Sequence, residues 1–267
     1  MEEETYEYFI PISIVILCIL LYYYRNRTNI AFCIPSTTIN RENPSKELEL
    51  ITSLKTISNY KNKPNIYIGY DDDDPIYSLK ENRDKIYPEL NIQWYEQHVD
   101  KGDVVSIWNN LSKIAVNDGN NYIMVIGDDI SYPTNEEWIN KCSNSLSDNN
   151  MIGISAGDSG NPELPMTQFM VTDKHINLYG YVFNPKLKNY YCDNYLGELY
   201  PNKYINYFPE IKLTNMGGRP RYIPKNDSKL YKQLLIQDKP KLNKIIYLYY
   251  HPKELEKIVI GHGKLYI

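Results

Sequence analysis

Tyr122-Ile123-Met124-Val125-Ile126-Gly127-Asp128-Asp129 runs five apolar residues without a break into a glycine and two carboxylates. A continuous apolar run of this length reads as a strand buried on both faces, as in a parallel sheet covered by helices. Working outward, Asn65–Tyr70 (NIYIGY) is a second such strand, stopped by Asp71-Asp72-Asp73-Asp74-Pro75. Ile30–Ile34 (IAFCI), ended by Pro35, is a first, and Asn91–Tyr95 a third. Between them the apolar positions switch to helical spacing. Leu48, Ile51, Leu54 and Ile57 form one stripe over Glu47–Ile57; Val104, Ile107, Trp108, Leu111, Ile114 and Ala115 form another over Val104–Val116. Downstream the pattern predicts a helix over Trp138–Leu146, a strand over Met151–Ala156, a β-rich stretch over Pro165–Thr172 and a helix over Asp173–Tyr179. After Tyr200 the signal weakens, and the tail from Asn202 mixes turns with a short apolar strand, Ile245–Tyr250. Alternating strand and helix signals predict an α/β fold with a mostly parallel central sheet and flanking helices.

Two of these strands finish in carboxylates, Asp71–Asp74 and Asp128-Asp129. In an open α/β sheet, ligands sit beyond the carboxyl ends of the strands, so parallel strands two and four deliver both clusters to one rim. Carboxylates gathered there repel one another unless a cation intervenes. A magnesium or manganese ion held by one or two carboxylates completes its shell with substrate phosphates, the chemistry of a nucleoside-diphosphate leaving group. The competing structural reading is a solvated, helix-capping turn. It weighs more for Asp71–Asp74 than for the Gly-Asp-Asp that follows a buried strand.

Over Ile30–Tyr200 the order and spacing of these pieces resemble GT-A glycosyltransferases of the family 2-like group. Ile34-Pro35-Ser36-Thr37 looks like the first strand and loop that cradle the nucleotide, and Asp71 or Asp72 falls where the family places an aspartate against the base. Ile107-Trp108-Asn109-Asn110-Leu111 resembles the helix that carries an Asn near the donor. Ile126-Gly127-Asp128-Asp129-Ile130 takes the place of the DxD metal motif, with Gly127 where its first aspartate would stand. The metal then depends on Asp129, with Asp128 reaching the ribose or the ion. Met166–Val171, with Thr167 and Gln168, resembles the strand facing the acceptor. Leu178-Tyr179-Gly180-Tyr181 resembles the glycine-containing segment before the catalytic acid, and Asp193 in Tyr191-Cys192-Asp193-Asn194-Tyr195 sits where the family has its general base. The resemblance further implies a candidate C-terminal metal ligand, His262, although a histidine between two glycines also reads as an exposed turn. It implies a divalent metal (Mn2+ or Mg2+), a nucleotide-sugar donor (a UDP-sugar favoured), a glycan, protein or lipid acceptor, and inverting chemistry at an acceptor hydroxyl. For Asp193 a helix N-cap stands as the plain alternative. Arg219 and Arg221 could clamp a diphosphate, though a solvated basic loop is the heavier reading.

The 267 residues suffice for one sizeable core, with 42% hydrophobic and 23% charged residues, and the net charge of −4 argues against a nucleic-acid partner. The 27 tyrosines against 5 phenylalanines read as compositional bias. Cys18, Cys33, Cys142 and Cys192 lack metal-ligand spacing and read as free buried thiols. Phe9–Leu21 is nearly all apolar, preceded by Glu2, Glu3, Glu4 and Glu7 and followed by Tyr22–Tyr24, Arg25 and Arg27. A helix over residues 8–24 would span about 25 Å, so residues 1–28 are expected to form an uncleaved single-pass anchor. The charges after it favour the cytosolic side for the domain, with a lumenal domain as the open alternative. The rest, 29–267, is expected to be one catalytic domain, with a nucleotide-binding half to about 130 and an acceptor half beyond. The competing function is an inactive nucleotide-sugar-binding or scaffold membrane protein of the same fold. A nucleotidyltransferase is disfavoured because Pro35-Ser36-Thr37-Thr38 contains no glycine; no P-loop and no GxSxG elbow is present.

Overall fold

The computed structural model describes residues 29–39, 49–147, 152–164, 166–216 and 228–251. In chain order the elements are β1 (Ile30–Pro35), α1 (Glu49–Ser58), β2 (Asn65–Asp71), α2 (Lys80–Arg83), β3 (Ile92–Gln97), α3 (Val104–Asn117), β4 (Tyr122–Val125) and β5 (Ile130–Ser131). They continue with α4 (Glu137–Ser147), β6 (Ile154–Asp158), β7 (Phe169–Thr172), α5 (Asp173–Tyr179), α6 (Cys192–Leu199), a 3-10 turn (Asn202–Tyr204), β8 (Ile205–Lys212), β9 (Thr214–Asn215) and α7 (Ser228–Tyr250).

Seven strands form one sheet in the order β3-β2-β1-β4-β7-β6-β8. β1 runs parallel to β2 and β4, and β2 to β3. β7 pairs antiparallel with both β4 and β6, while β8 is parallel to β6, so β7 is the one reversed strand of a mostly parallel sheet. β5 and β9 make a separate two-stranded ribbon, Ile130 opposite Asn215 and Ser131 opposite Thr214.

Successive strand side chains point to opposite faces, and both faces are covered. Ala31 and Cys33 of β1 with Ile123 and Val125 of β4 face a core shared with α3, α5, α6 and α7. Phe32, Ile34, Met124 and Ile126 face the other, closed by α1 and α4 through Leu50, Leu54, Ile57, Trp138 and Cys142. Double-sided burial is why the central strands read as unbroken apolar runs. Cys33, Cys142 and Cys192 are free and buried, as their surroundings in the sequence suggested, and burial pushes the Cys33 thiol up to about 12.

The tail departs from expectation. Ile245–Tyr250 is not a strand but the last turns of α7, a 23-residue helix. Its buried positions, Tyr231, Leu234, Leu235, Asp238, Leu242, Ile245 and Ile246, recur at intervals of three and four. Packing of that face against α6 and α5 overrides the strand preference of the run IIYLYY. Among the described residues no helix is long and apolar enough to cross a membrane; the expected anchor at 1–28 lies outside them.

Candidate active site

Because β2, β1 and β4 lie side by side and parallel, the loops that follow them emerge at one edge. Side chains of the β1 loop bind the other two loops together. Ser36 N donates to Gly69 O (2.9 Å), which carries the chain across to β2. Ser36 Oγ donates to Asp128 Oδ2 at 2.7 Å. Thr37 Oγ1 donates to Asp74 Oδ2 (3.0 Å), and Thr38 gives the same carboxylate both its N–H (2.6 Å) and its hydroxyl (2.7 Å). Asp74 Oδ1 also accepts from Ile76 N and Tyr77 N, at 3.0 and 2.8 Å. Asp74 is fully buried, and with five donors around it the residue is a clamp within the fold.

The rest of the β2 cluster is neutralised from within the chain. His98 Nδ1 lies 3.0 Å from Asp72 Oδ2, and the Lys101 ammonium pairs with Asp73 and stands 3.9 and 3.7 Å from Asp71 and Asp72. The hydrogen bond to His98 holds Asp72 below the ordinary carboxylate range, and the same bond raises His98. Lys101 and His98 thus do for this cluster what a cation was expected to do. Asp71 itself ends β2 opposite Gln97 and is buried, while Asp72 is exposed.

The Gly-Asp-Asp turn is held on three sides. Gly127 N donates to Gln168 Oε1 (2.8 Å), and Gln168 Nε2 donates in turn to Thr167 Oγ1 (3.1 Å). Ser53 Oγ of α1 bridges the carbonyls of Asp128 and Ile130, at 2.9 and 2.8 Å. Asn215 Nδ2 donates to Asp129 Oδ2 (2.8 Å), and Met216 N to Asp129 O (2.8 Å), through the β5–β9 ribbon. Asp128 is buried and turned inward to Ser36, whereas Asp129 is half-buried at the rim. A Cβ on Gly127 would stand 2.8 Å from Asp129 Oδ1, so the glycine leaves the room in which that carboxylate lies. Asp129 at the rim, with Asp128 behind it, fits a hard divalent ion that takes few protein oxygens and fills its shell with water and phosphate. Among the described residues no three acidic, His or Cys groups converge for a fuller protein shell. His262 lies outside the described residues, as do Arg219 and Arg221.

The segment leading to Asp193 is tied to the start of α3, which follows β3 at the same edge. Val105 N donates to Lys188 O (3.1 Å), and the Lys188 ammonium pairs with Asp103, the N-cap of α3. Asn109, expected near the donor, is buried with its amide spent on backbone: Oδ1 accepts from Val182 N and Phe183 N (3.0 and 3.1 Å), and Nδ2 donates to Phe183 O (2.8 Å). It staples α3 to the 182–183 loop, while the exposed Asn110 donates to Gln97 Oε1 (3.2 Å). Trp108 Nε1 donates to Ile126 O (3.2 Å) and its ring meets Phe183 at 5.3 Å, which links that loop to the base of the Gly-Asp-Asp turn. Asp193 then lies in the first turn of α6, but Tyr191, in a left-handed conformation (φ 69°), is the N-cap. Asp193 Oδ1 accepts from Asn194 N at 2.8 Å, and burial raises its pKa despite that bond. Behind it, Asp238 of α7 accepts from Tyr195 Oη and Asn184 Nδ2, each at 2.7 Å.

No family model matches the chain, and no curated protein matches it. Solved structures do. S. aureus TarS 1–349 in complex with UDP-GlcNAc superposes with a TM-score of 0.58 at 12% identity, over 79% of this chain and 66% of that one. The mannosyltransferase PcManGT from Pyrobaculum calidifontis, in complex with GDP-Man and Mn2+, superposes with a TM-score of 0.52 at 11% identity, over 85% of this chain and 72% of that one. The chain spans 60 to 66% of the length of the TarS 1–349 chains. At such identities the likeness establishes the fold alone: a GT-A-like α/β architecture shared with these two structures.

Proposed function

We propose that this chain is a glycosyltransferase that moves a sugar from a nucleotide-sugar donor, a UDP-sugar favoured, to an acceptor hydroxyl with inversion. The observation that carries the reading is the shared rim, where Asp71-Asp72 and Asp128-Asp129 emerge from the parallel strands on either side of β1 and Ser36 of the β1 loop bonds to Asp128. Asp71 and Asp72 would meet the base, and Asp129, backed by Asp128, would hold a divalent ion. Such an ion supplies Lewis-acid stabilisation of charge building on the departing diphosphate. Asn215 and Ser36 fix the two carboxylates, so little reorganisation is left to the reacting state. Asp193 would take the acceptor's hydroxyl proton while the acceptor oxygen bonds to the anomeric carbon and the bond to the diphosphate breaks. Burial makes that carboxylate a stronger base than a free aspartate. Thr167 and Gln168 flank the same turn and would face the acceptor.

The test is a donor screen measuring released nucleoside diphosphate with manganese present, on the wild type and on Asp193→Asn. The wild type releases diphosphate from one donor, faster with acceptor. Asp193→Asn loses about 10²- to 10⁴-fold in transfer while its affinity for the nucleotide stays within a few-fold. Wild-type activity falls as pH drops through the folded pKa of Asp193, which lies above the free-aspartate value of 3.8. Unchanged turnover in Asp193→Asn removes that residue from the role. Nucleotide binding by calorimetry with no diphosphate release from any donor favours the inactive binding protein.

A further inference from the structure

The outer face of α7 takes no part in the site, and it is the most concentrated positive surface on the described helices. Lys229, Lys232, Lys239, Lys241 and Lys244 are all exposed, in a chain whose net charge is −4. The helix has one acid, Asp238, and that residue is buried against Tyr195 and Asn184. None of the five lysines forms an ion pair among the described residues; Lys241 lies over the Tyr179 ring at 5.2 Å. Between the cations stand two large apolar side chains, Ile236 at 75% exposure and Tyr247 at 52%. Lys229, Lys232, Ile236, Pro240, Lys244 and Tyr247 follow one another at three- and four-residue steps, so they share one stripe along the helix. Pro240 adds to it, because proline has no N–H to give the Ile236 carbonyl.

With its apolar face spent on the core, α7 presents a cluster of lysines with isolated apolar tips, the kind of polybasic helix surface that anionic lipid attracts. We infer that the outer face of α7 docks on an anionic membrane surface, with Lys229, Lys232, Lys239 and Lys244 against the headgroups and Ile236 and Tyr247 entering the interface. The charge complementarity selects this partner. A protein groove would not need four lysines without ion pairs among the described residues around a bare isoleucine, and an exposed isoleucine does nothing for a phosphate backbone. The inference needs nothing from residues 1–28 and does not depend on the catalytic reading.

The full-length chain carrying Cys18→Ser, reconstituted in vesicles, bears an environment-sensitive label on Ile236→Cys; Cys33, Cys142 and Cys192 are buried and stay unlabelled in the native state. With phosphatidylserine present the label shifts to the blue and is quenched by a headgroup-level quencher; with phosphatidylcholine alone it does neither. Raised salt reverses the shift, since surface attraction is screened. Changing Lys229, Lys232, Lys239 and Lys244 to Gln weakens the lipid response by at least tenfold, from roughly fivefold per lysine. A label on Ser58, at the end of α1, reports no change. The inference is overturned if the Ile236 label ignores phosphatidylserine, or if the four-lysine variant responds like the parent. A larger response to oligonucleotide than to lipid, or a concentration-dependent response without vesicles, likewise overturns it, in favour of nucleic acid or of a second copy.

Discussion

Asp129 lies back over the β4 turn because residue 127 carries no Cβ; one added there would come within 2.8 Å of its Oδ1. A side chain at 127, where the first aspartate of the DxD motif would stand, would therefore displace the Asp129 carboxylate, whose other oxygen accepts from Asn215. Gly127→Ala should swing the carboxylate off Asn215. Losing one charge-assisted hydrogen bond of about 1.5 kcal/mol corresponds to roughly tenfold, read as weaker manganese-dependent UDP binding by calorimetry. An unchanged affinity in that variant would mean that the carboxylate can turn aside without cost. At this scale the sequence was legible where chemistry and position coincide, as in Gly127-Asp128-Asp129 following a buried strand. Ser53, Asn215 and the Gly127 contact of Gln168 gave no local signal, since they act across 41 to 86 residues of chain. Asn109 was singled out, yet its bonds to Val182 and Phe183 serve the fold.

Elements meet at the rim through Asp74 more than through any other side chain. Its carboxylate gathers the β1 loop and the turn after β2 at once, with no exposure to water. Asp74→Ala should cost about 3 kcal/mol or more, since it leaves several buried donors without an acceptor. Urea unfolding monitored by tryptophan fluorescence measures it; a loss below about 1 kcal/mol would show that water replaces the carboxylate. The central strands and α3 could be read directly because both faces of each strand, or one stripe of the helix, are buried. The end of α7 was misread as a strand because Ile245, Ile246, Tyr247, Leu248, Tyr249 and Tyr250 carry strand preference, and Pro240 masks the helical period. β8 escaped notice for the opposite reason. Only Ile211 of its eight residues is fully buried, and Pro209 and Glu210 break its pattern.

On the scale of the whole molecule, one core holds a titratable group. His175 is fully buried between Tyr200 Oη and the Tyr181 carbonyl, and burial lowers its pKa from 6.5 to about 4. The unfolded chain binds that proton near pH 6.5 and the native one only near 4. Stability is therefore fully present above 6.5 and falls as pH drops through this window, by on the order of 3 kcal/mol in all. Denaturation midpoints at pH 7 and 5 should separate more for the wild type than for His175→Gln. Equal separations would assign the acid sensitivity to other groups.

The placement of β7 has a consequence for how the chain is made. β3, β2, β1 and β4 come from one unbroken stretch of about a hundred residues, so the half of the sheet bearing both aspartate pairs leaves the ribosome first. Until Phe169–Thr172 arrives to pair with it, the Tyr122–Val125 border stays bare, apolar and open to the wrong neighbour. In a nascent chain, the hazard of clumping is concentrated on that one seam.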